Sequence, residues 1–175
     1  MMKKNPQLIL VDDHLPYRES LKSILTTVNI AHVIGEATNG VEFIELLSRL
    51  KPDLVLMDIN IPKMNGMEAI QKALELKPDL KIIAYTMFGE EEYYNKMIAL
   101  GVKGIIRKSC GINELVTAIN TVMLGKTYFS ESFEVINNEI ADDTIGNNPT
   151  ENKGFTGGES IGSLNYESTI NPMKY

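Results

Sequence analysis

Four apolar runs in this chain each deliver a polar residue of a particular kind. Leu8-Ile9-Leu10-Val11 leads into Asp12 and Asp13, and Leu54-Val55-Leu56-Met57 leads into Asp58, with Asn60, Pro62 and Gly66 shortly after. Ile82-Ile83-Ala84-Tyr85 closes on Thr86, and Ile105-Ile106-Arg107 closes on Lys108. Three carboxylates brought to one place are too costly to hold without a cation or a proton to offset them. Hard oxygen donors with open positions suit Mg2+, which keeps several waters and prefers one or two carboxylates plus phosphate oxygens. A carboxylate beside such an ion can attack phosphorus and form an aspartyl-phosphate. Charge on the transferring phosphoryl oxygens would be shared by Mg2+ and the Lys108 ammonium, while the Thr86 hydroxyl could donate to the same group and sense its presence.

That chemistry requires the runs to end at one edge. An unbroken apolar run bounded by turn residues reads as a strand buried on both faces of a parallel sheet, and such sheets bind ligands at their carboxyl edge. The spacing predicts strands over 7–11, 31–36, 54–57, 81–85 and 104–107. Between them the apolar period becomes helical. Leu21, Ile24, Leu25 and Val28 share one face of a helix over 15–28. Asn39 caps the next helix, whose Phe43, Ile44, Leu47 and Leu50 face inward. Further helices are predicted over 67–76, over 90–100 (opened by three glutamates that suit the positive end of its dipole) and over 112–124, with Leu115, Ile119, Val122 and Met123 inward. Five strands alternating with five helices give an α/β fold: a five-stranded parallel sheet, doubly wound by right-handed crossovers.

The bulk properties exclude several classes of function. No apolar run approaches the roughly 18 residues needed to cross a membrane, and the N-terminal stretch lacks the long apolar core of a signal peptide. Cys110 is the only cysteine, which rules out an internal disulfide and a cysteine-based zinc site. These features fit a cytoplasmic protein. Residues 1–130 carry fifteen acids and fifteen bases, so the net charge of −6 belongs to residues 131–175. Neither part has a concentrated basic face, which argues against DNA binding by this chain alone. No glycine-rich phosphate loop supports nucleotide binding. Phe133, Ile136 and Ile140 share a face and predict a short linker helix within 129–140. The segment 141–175 is Asn, Gly, Thr, Ser and Glu with scattered apolar residues, a composition expected to stay disordered.

With these pieces in order, the chain resembles the receiver domain of two-component response regulators over residues 6–128, with a CheY-like, flavodoxin-like strand order 2-1-3-4-5. The matching elements are Asp12-Asp13, Met57-Asp58-Ile59-Asn60-Ile61-Pro62 with Gly66, Thr86 and Lys108. Val11-Asp12-Asp13-His14 with Arg18, Ala84-Tyr85-Thr86-Met87-Phe88, and Gly125-Lys126-Thr127-Tyr128-Phe129-Ser130 are similar to the NarL/FixJ group. The resemblance implies that Asp58 is the phosphoacceptor, supplied by a sensor histidine kinase or a phosphotransfer protein. It implies Mg2+ held by the side chains of Asp13 and Asp58 and the backbone carbonyl of Asn60, with Asp12 acting through water. Lys108 would pair with the phosphoryl oxygens, and Thr86 would swing toward them. That movement would reshape the surface of the fourth helix, fifth strand and fifth helix for a downstream protein partner or a phosphorylation-dependent homodimer. Two positions depart from the family pattern: Ile105 stands where many receivers carry an aromatic residue, and Ser109 where a cis-proline is common.

Taken singly, each of these residues has a plainer explanation. Asp12 and Asp13 could be a turn pair, Thr86 a strand end, and Lys108 a solvated surface residue; the ordered set is what favours the phosphorylation site. His14 neighbours the acids and is a minor candidate for metal or proton chemistry. His32, Cys110 and the methionines Met57, Met64, Met67 and Met87 read as ordinary loop or core residues. Regulators of the NarL/FixJ group continue into a helix-turn-helix domain. The residues after Tyr128 are too few and too poor in helical pattern for one, so the reading expects no output domain here. It favours a stand-alone phosphorylatable switch, catalysing only its own phosphorylation and dephosphorylation, over a transcriptional regulator whose DNA-binding part is truncated or lost.

Overall fold

Strand residues alternate between two separate cores. The computed structural model describes residues 5–87 and 91–130, with Glu91 and Glu92 described by backbone alone. The elements run β1 (Gln7–Val11), α1 (Leu15–Thr27), β2 (His32–Ala37), α2 (Gly40–Arg49), β3 (Leu54–Met57), α3 (Gly66–Leu76), β4 (Lys81–Thr86), α4 (Glu91–Leu100), β5 (Gly104–Arg107), α5 (Ile112–Met123) and β6 (Tyr128–Phe129). Ile9, Val11, Val55, Met57, Ile82, Ala84 and Ile105 pack with α2, α3 and α4 on one face of the sheet. Leu8, Leu10, Leu54, Leu56, Ile83, Tyr85 and Ile106 pack with α1 and α5 on the other. Successive side chains of a strand point to opposite faces, so a sheet covered on both sides needs apolar residues at every position. That is why these strands read as unbroken runs.

The sheet order is β2-β1-β3-β4-β5-β6, with every pairing parallel. The five expected strands stand in the order 2-1-3-4-5. A two-residue strand, β6, extends the sheet by pairing Tyr128 with Gly104 and Phe129 with Ile105. Two residues carry no detectable period, so the sequence shows no sign of it. The N–H of Ser130 still donates to the Ile105 carbonyl at 3.0 Å.

The α1 face differs from expectation at both ends. Leu21 and Leu25 are buried as expected, but Val28 is the helix C-cap and stays 40% exposed. Arg18 takes the buried place one turn earlier. A guanidinium is tolerated there because Nη1 donates to the Asp12 carbonyl at 2.7 Å and Nε meets the Glu36 carboxylate at 3.2 Å. Hydrogen bonding from Lys22, reinforced by Arg18, holds the Glu36 carboxyl below its usual range despite partial burial.

At the start of α2, the buried Asn39 side chain accepts from the N–H groups of Val41 and Glu42 and donates to the Glu42 carboxylate at 2.8 Å. Thr38 donates to the same carboxylate through its N–H and its hydroxyl, and these bonds lower the Glu42 pKa. The cap predicted at Asn39 is therefore present, and it is reciprocal. Asn39→Ala is expected to cost about 1–2 kcal/mol, seen as a lower denaturant midpoint at unchanged slope.

The expected start of the fourth helix at Glu90, the linker helix within 129–140 beyond Ser130 and the segment 141–175 lie outside the described residues. Among the described residues, no helix is long and apolar enough to cross a membrane.

Candidate functional site

Strand order reverses at β1, which has β2 on one side and β3 on the other. The carboxyl ends of β1 and β3 therefore open the crevice in which parallel α/β sheets hold ligands. Asp12 and Asp58 are the first residues beyond those two strands. Their backbones still follow the sheet, since the Asp12 N–H donates to Ala37 O at 3.0 Å and the Asp58 N–H donates to Val11 O at 2.9 Å. Each carboxylate then spends one oxygen on its own loop. Asp12 Oδ1 accepts the His14 N–H at 2.8 Å, and Asp58 Oδ1 accepts the Asn60 N–H at 3.0 Å. These local turns orient both side chains. Both remaining oxygens receive the same ammonium: Lys108 Nζ donates to Asp12 Oδ2 at 2.6 Å and to Asp58 Oδ2 at 2.7 Å.

The three side chains lie deep, at 7% exposure for Lys108, 2% for Asp12 and 6% for Asp58. Burial alone would push the lysine's pKa down. The hydrogen bonds it donates to Asp12 and Asp58, together with their charges, outweigh it and raise the pKa above its ordinary value. The ammonium thus stays charged and supplies the positive charge that this acidic corner demands. Asp13 is exposed and completes the cluster: Asp12, Asp13 and Asp58 each offer an oxygen, all within 4.8 Å of one another. Hard carboxylate oxygens gathered at a crevice fit a divalent cation of the Mg2+ type. His14 is not part of the cluster; its backbone, not its ring, serves the site.

The other sequence candidates fall around this centre. Thr86 ends β4, and its carbonyl accepts the Lys108 N–H at 2.8 Å, which ties the ends of β4 and β5 together. Thr86 is buried and lines a cavity of about 460 Å³ with Asn60, Asn65, Tyr93 and Met97. Ile105 is fully buried in the core on the α4 side of the sheet. No cis peptide occurs among the described residues, so the Lys108–Ser109 bond is trans. Tyr17 carried no signal in the sequence, and Arg18 and Tyr85 entered it only as parts of the family resemblance, with no role at the site. Arg18 holds the Asp12 backbone, and Tyr17 and Tyr85 meet beside Lys108. Arg18 was legible only through that resemblance, and its buried place on α1 was not foreseen.

Cys110 lies just beyond the lysine. Burial, then the negative charge of Glu114, push its thiol up to about 11. An ordinary cysteine near 8.5 is partly thiolate at pH 8, whereas this one is almost wholly protonated. Alkylation by iodoacetamide at pH 8 is expected to run about two orders of magnitude slower than in the urea-unfolded chain, as mass spectrometry over time would show.

A family model for the response regulator receiver domain matches residues 8–120. The chain is similar to the response regulator GacA of Pseudomonas viridiflava, at 35% identity over 124 residues that cover 71% of this chain and 58% of that one. It is similar to the oxygen regulatory protein NreC of Staphylococcus aureus (strain JH9), at 36% identity over 123 residues that cover 70% of this chain and 57% of that one. The chain therefore spans a little over half the length of these curated relatives. Among solved structures, a two-component response regulator of the LuxR family from Aurantimonas sp. SI85-9A1 superimposes with a TM-score of 0.73 at 27% identity, covering 81% of this chain and 99% of that one. The acid pair, the single carboxylate and the lysine meet where the sheet order reverses, within the span that the family model matches, and the chain belongs to the response regulator receiver domain family.

Proposed function

We propose that this chain works as a phosphorylatable switch over residues 6–128, with Asp58 as its phosphoacceptor. The observation that carries the reading is the shared ammonium: one buried lysine bridges Asp12 and Asp58 at the sheet's switch point. Receiver domains of two-component systems are phosphorylated on an aspartate with Mg2+, and the donor set here suits that ion. Asp13 and Asp58 would hold it through their side chains and Asn60 through its carbonyl, with Asp12 acting through water. Bound there, Mg2+ would neutralise charge on the phosphoryl oxygens.

The remaining work falls to the chain. An oxygen of Asp58 attacks phosphorus, and the new O–P bond forms as the P–N bond of a phosphohistidine breaks, leaving its electron pair on the imidazole of the sensor kinase or phosphotransfer protein. The carboxylate's negative charge makes it a nucleophile without prior loss of a proton. Lys108 exchanges its bond to Asp58 for one to a phosphoryl oxygen, and the Thr86 hydroxyl donates to another. Moving Thr86 alters the end of β4, against which α4 and β5 pack. The output surface is then that of α4, β5 and α5, where Tyr93 and Ile98 are 46% and 40% exposed. It would serve a protein partner or a second copy of the chain. Such a switch is a shift between two packings, biased by the new charge.

Acetyl phosphate with Mg2+ is expected to label the protein at one acid-stable, base-labile position, and Asp58→Asn is expected to reduce labelling more than a hundredfold. A label that survives this substitution would overturn the assignment. The length of the curated relatives, of which the matched span is only 57–58%, favours a second reading, in which this receiver serves a transcriptional regulator of the NarL/FixJ type. Sequence-specific retardation of promoter DNA by the phosphorylated chain would decide for it.

A further inference from the structure

The phosphoryl chemistry uses the ammonium of Lys108 but leaves the rest of that residue unexplained. Tyr17, in the first turn of α1, lies across it. The ring centroid is 4.9 Å from Lys108 Nζ, and the Tyr17 hydroxyl donates to the Lys108 carbonyl at 2.9 Å. A phenol has one proton to give. With that proton on the Lys108 carbonyl, the Tyr17 oxygen accepts the hydroxyl of Tyr85, whose ring centroid is 5.7 Å away. Tyr85 immediately precedes Thr86, and the Thr86 carbonyl accepts the Lys108 N–H. Lys108 is thus held at its N–H by β4, at its carbonyl by α1, and at its ammonium by a ring face. Burial raises the pKa of both phenols, so the chain of hydrogen bonds stays protonated at neutral pH.

We propose that Tyr17, locked by Tyr85, is a positioning residue that latches Lys108 in the orientation needed to meet the phosphoryl group; the inference rests on the phosphoacceptor reading of Asp58. A lysine stem has four rotatable bonds, and freezing them during the reaction costs entropy. A stem already confined by a fixed backbone and an aromatic face loses little on moving its ammonium from Asp58 to a phosphoryl oxygen. Tyr17 makes no hydrogen bond to Asp12, Asp13 or Asp58, and so acts only through the lysine. Ile105, buried and apolar, can supply no such hydroxyl.

The test compares Tyr17→Phe, which keeps the ring over the ammonium and deletes the hydroxyl, with Tyr85→Phe, which deletes one bond from the other side, with their double variant, and with Tyr17→Leu. Two quantities are read: the rate constant for labelling by acetyl phosphate at saturating Mg2+, and the Mg2+ affinity from an NMR titration. Each phenylalanine variant is expected to slow labelling about fivefold, the scale of one hydrogen bond. The double variant should be no slower than Tyr17→Phe, and Tyr17→Leu should be slower than both. Mg2+ affinity should stay within about twofold throughout, because the latch acts on the lysine and not on the carboxylates. Labelling at the wild-type rate in both phenylalanine variants would overturn the latch, and so would a metal affinity that falls in step with the rate. If Tyr17→Phe does not fold, Tyr85→Phe decides alone. Labelling that persists in Asp58→Asn would instead overturn the phosphoacceptor reading.

Discussion

Gly66→Ala is expected to destabilise the fold by about 3 kcal/mol and to weaken the site with it. Gly66 opens α3, and its N–H donates to the Ile59 carbonyl at 3.0 Å. A methyl group added there would meet the Asp58 carbonyl oxygen at 2.3 Å and the Ile59 Cα at 2.6 Å. Both are backbone atoms of the loop that carries the proposed nucleophile, so no flexible side chain can swing away to relieve the contact. Either α3 retreats and opens its packing against the α2, α3 and α4 core, or the Asp58–Asn60 loop shifts and pulls the carboxylate off Lys108. Both routes cost stability, and the second also costs function. For a domain of this size the loss corresponds to about 10 °C or more in melting temperature. Gly111→Ala is the control, because a methyl there meets nothing within 4 Å; its effect should stay near that of an ordinary cap change, within about 1 kcal/mol. A Gly66→Ala protein that melts with the wild type would mean that helix and loop have room that the structure does not show.

Gly66 also shows how far the sequence could be read. As a letter after Pro62 it signals a turn and belongs to the family pattern, but the reason for it is a close approach between residues eight apart, visible only in three dimensions. What could be read was local. An apolar run reports its own burial, the residue that ends it reports what reaches the sheet edge, and Asn39 reports a helix start; Asp12, Asp58, Thr86 and Lys108 all emerged in this way. What could not be read depends on contacts between distant segments. Tyr17 meets Tyr85 across 68 positions and Lys108 across 91, and no spacing rule encodes such a pairing. Arg18 sits on an inward helix position that composition alone assigns to an apolar residue, and it is bearable there only because a carbonyl and a carboxylate wait for it. His14 failed in the opposite direction. Its neighbours in sequence are acids, but its N–H and not its ring reaches them.

Replacing Lys108 by methionine tests the same corner through its charge, and the expected loss is about 3 kcal/mol in the presence of a chelator. The side chain bridges two carboxylates that are 2% and 6% exposed. Methionine keeps most of the stem's volume and removes the ammonium. The penalty is therefore that of leaving Asp12 and Asp58 buried and facing one another without a counter-charge, not that of a cavity. Two further results should separate this cause from general damage. Asp12→Asn in the Lys108→Met background should recover part of the loss, since removing both members of a buried pair costs less than removing one. Mg2+ should raise the midpoint of Lys108→Met more than that of the wild type, because a ligand that binds only the native state stabilises it in proportion to its affinity, and here it need not compete with an ammonium for the same oxygens. Denaturant titrations of the three proteins in chelator and in Mg2+ would measure all of these. Equal Mg2+ shifts in Lys108→Met and the wild type would mean that the oxygens gripped by Lys108 are not those on which a cation acts. The lysine would then hold the acidic corner together without regulating access to it.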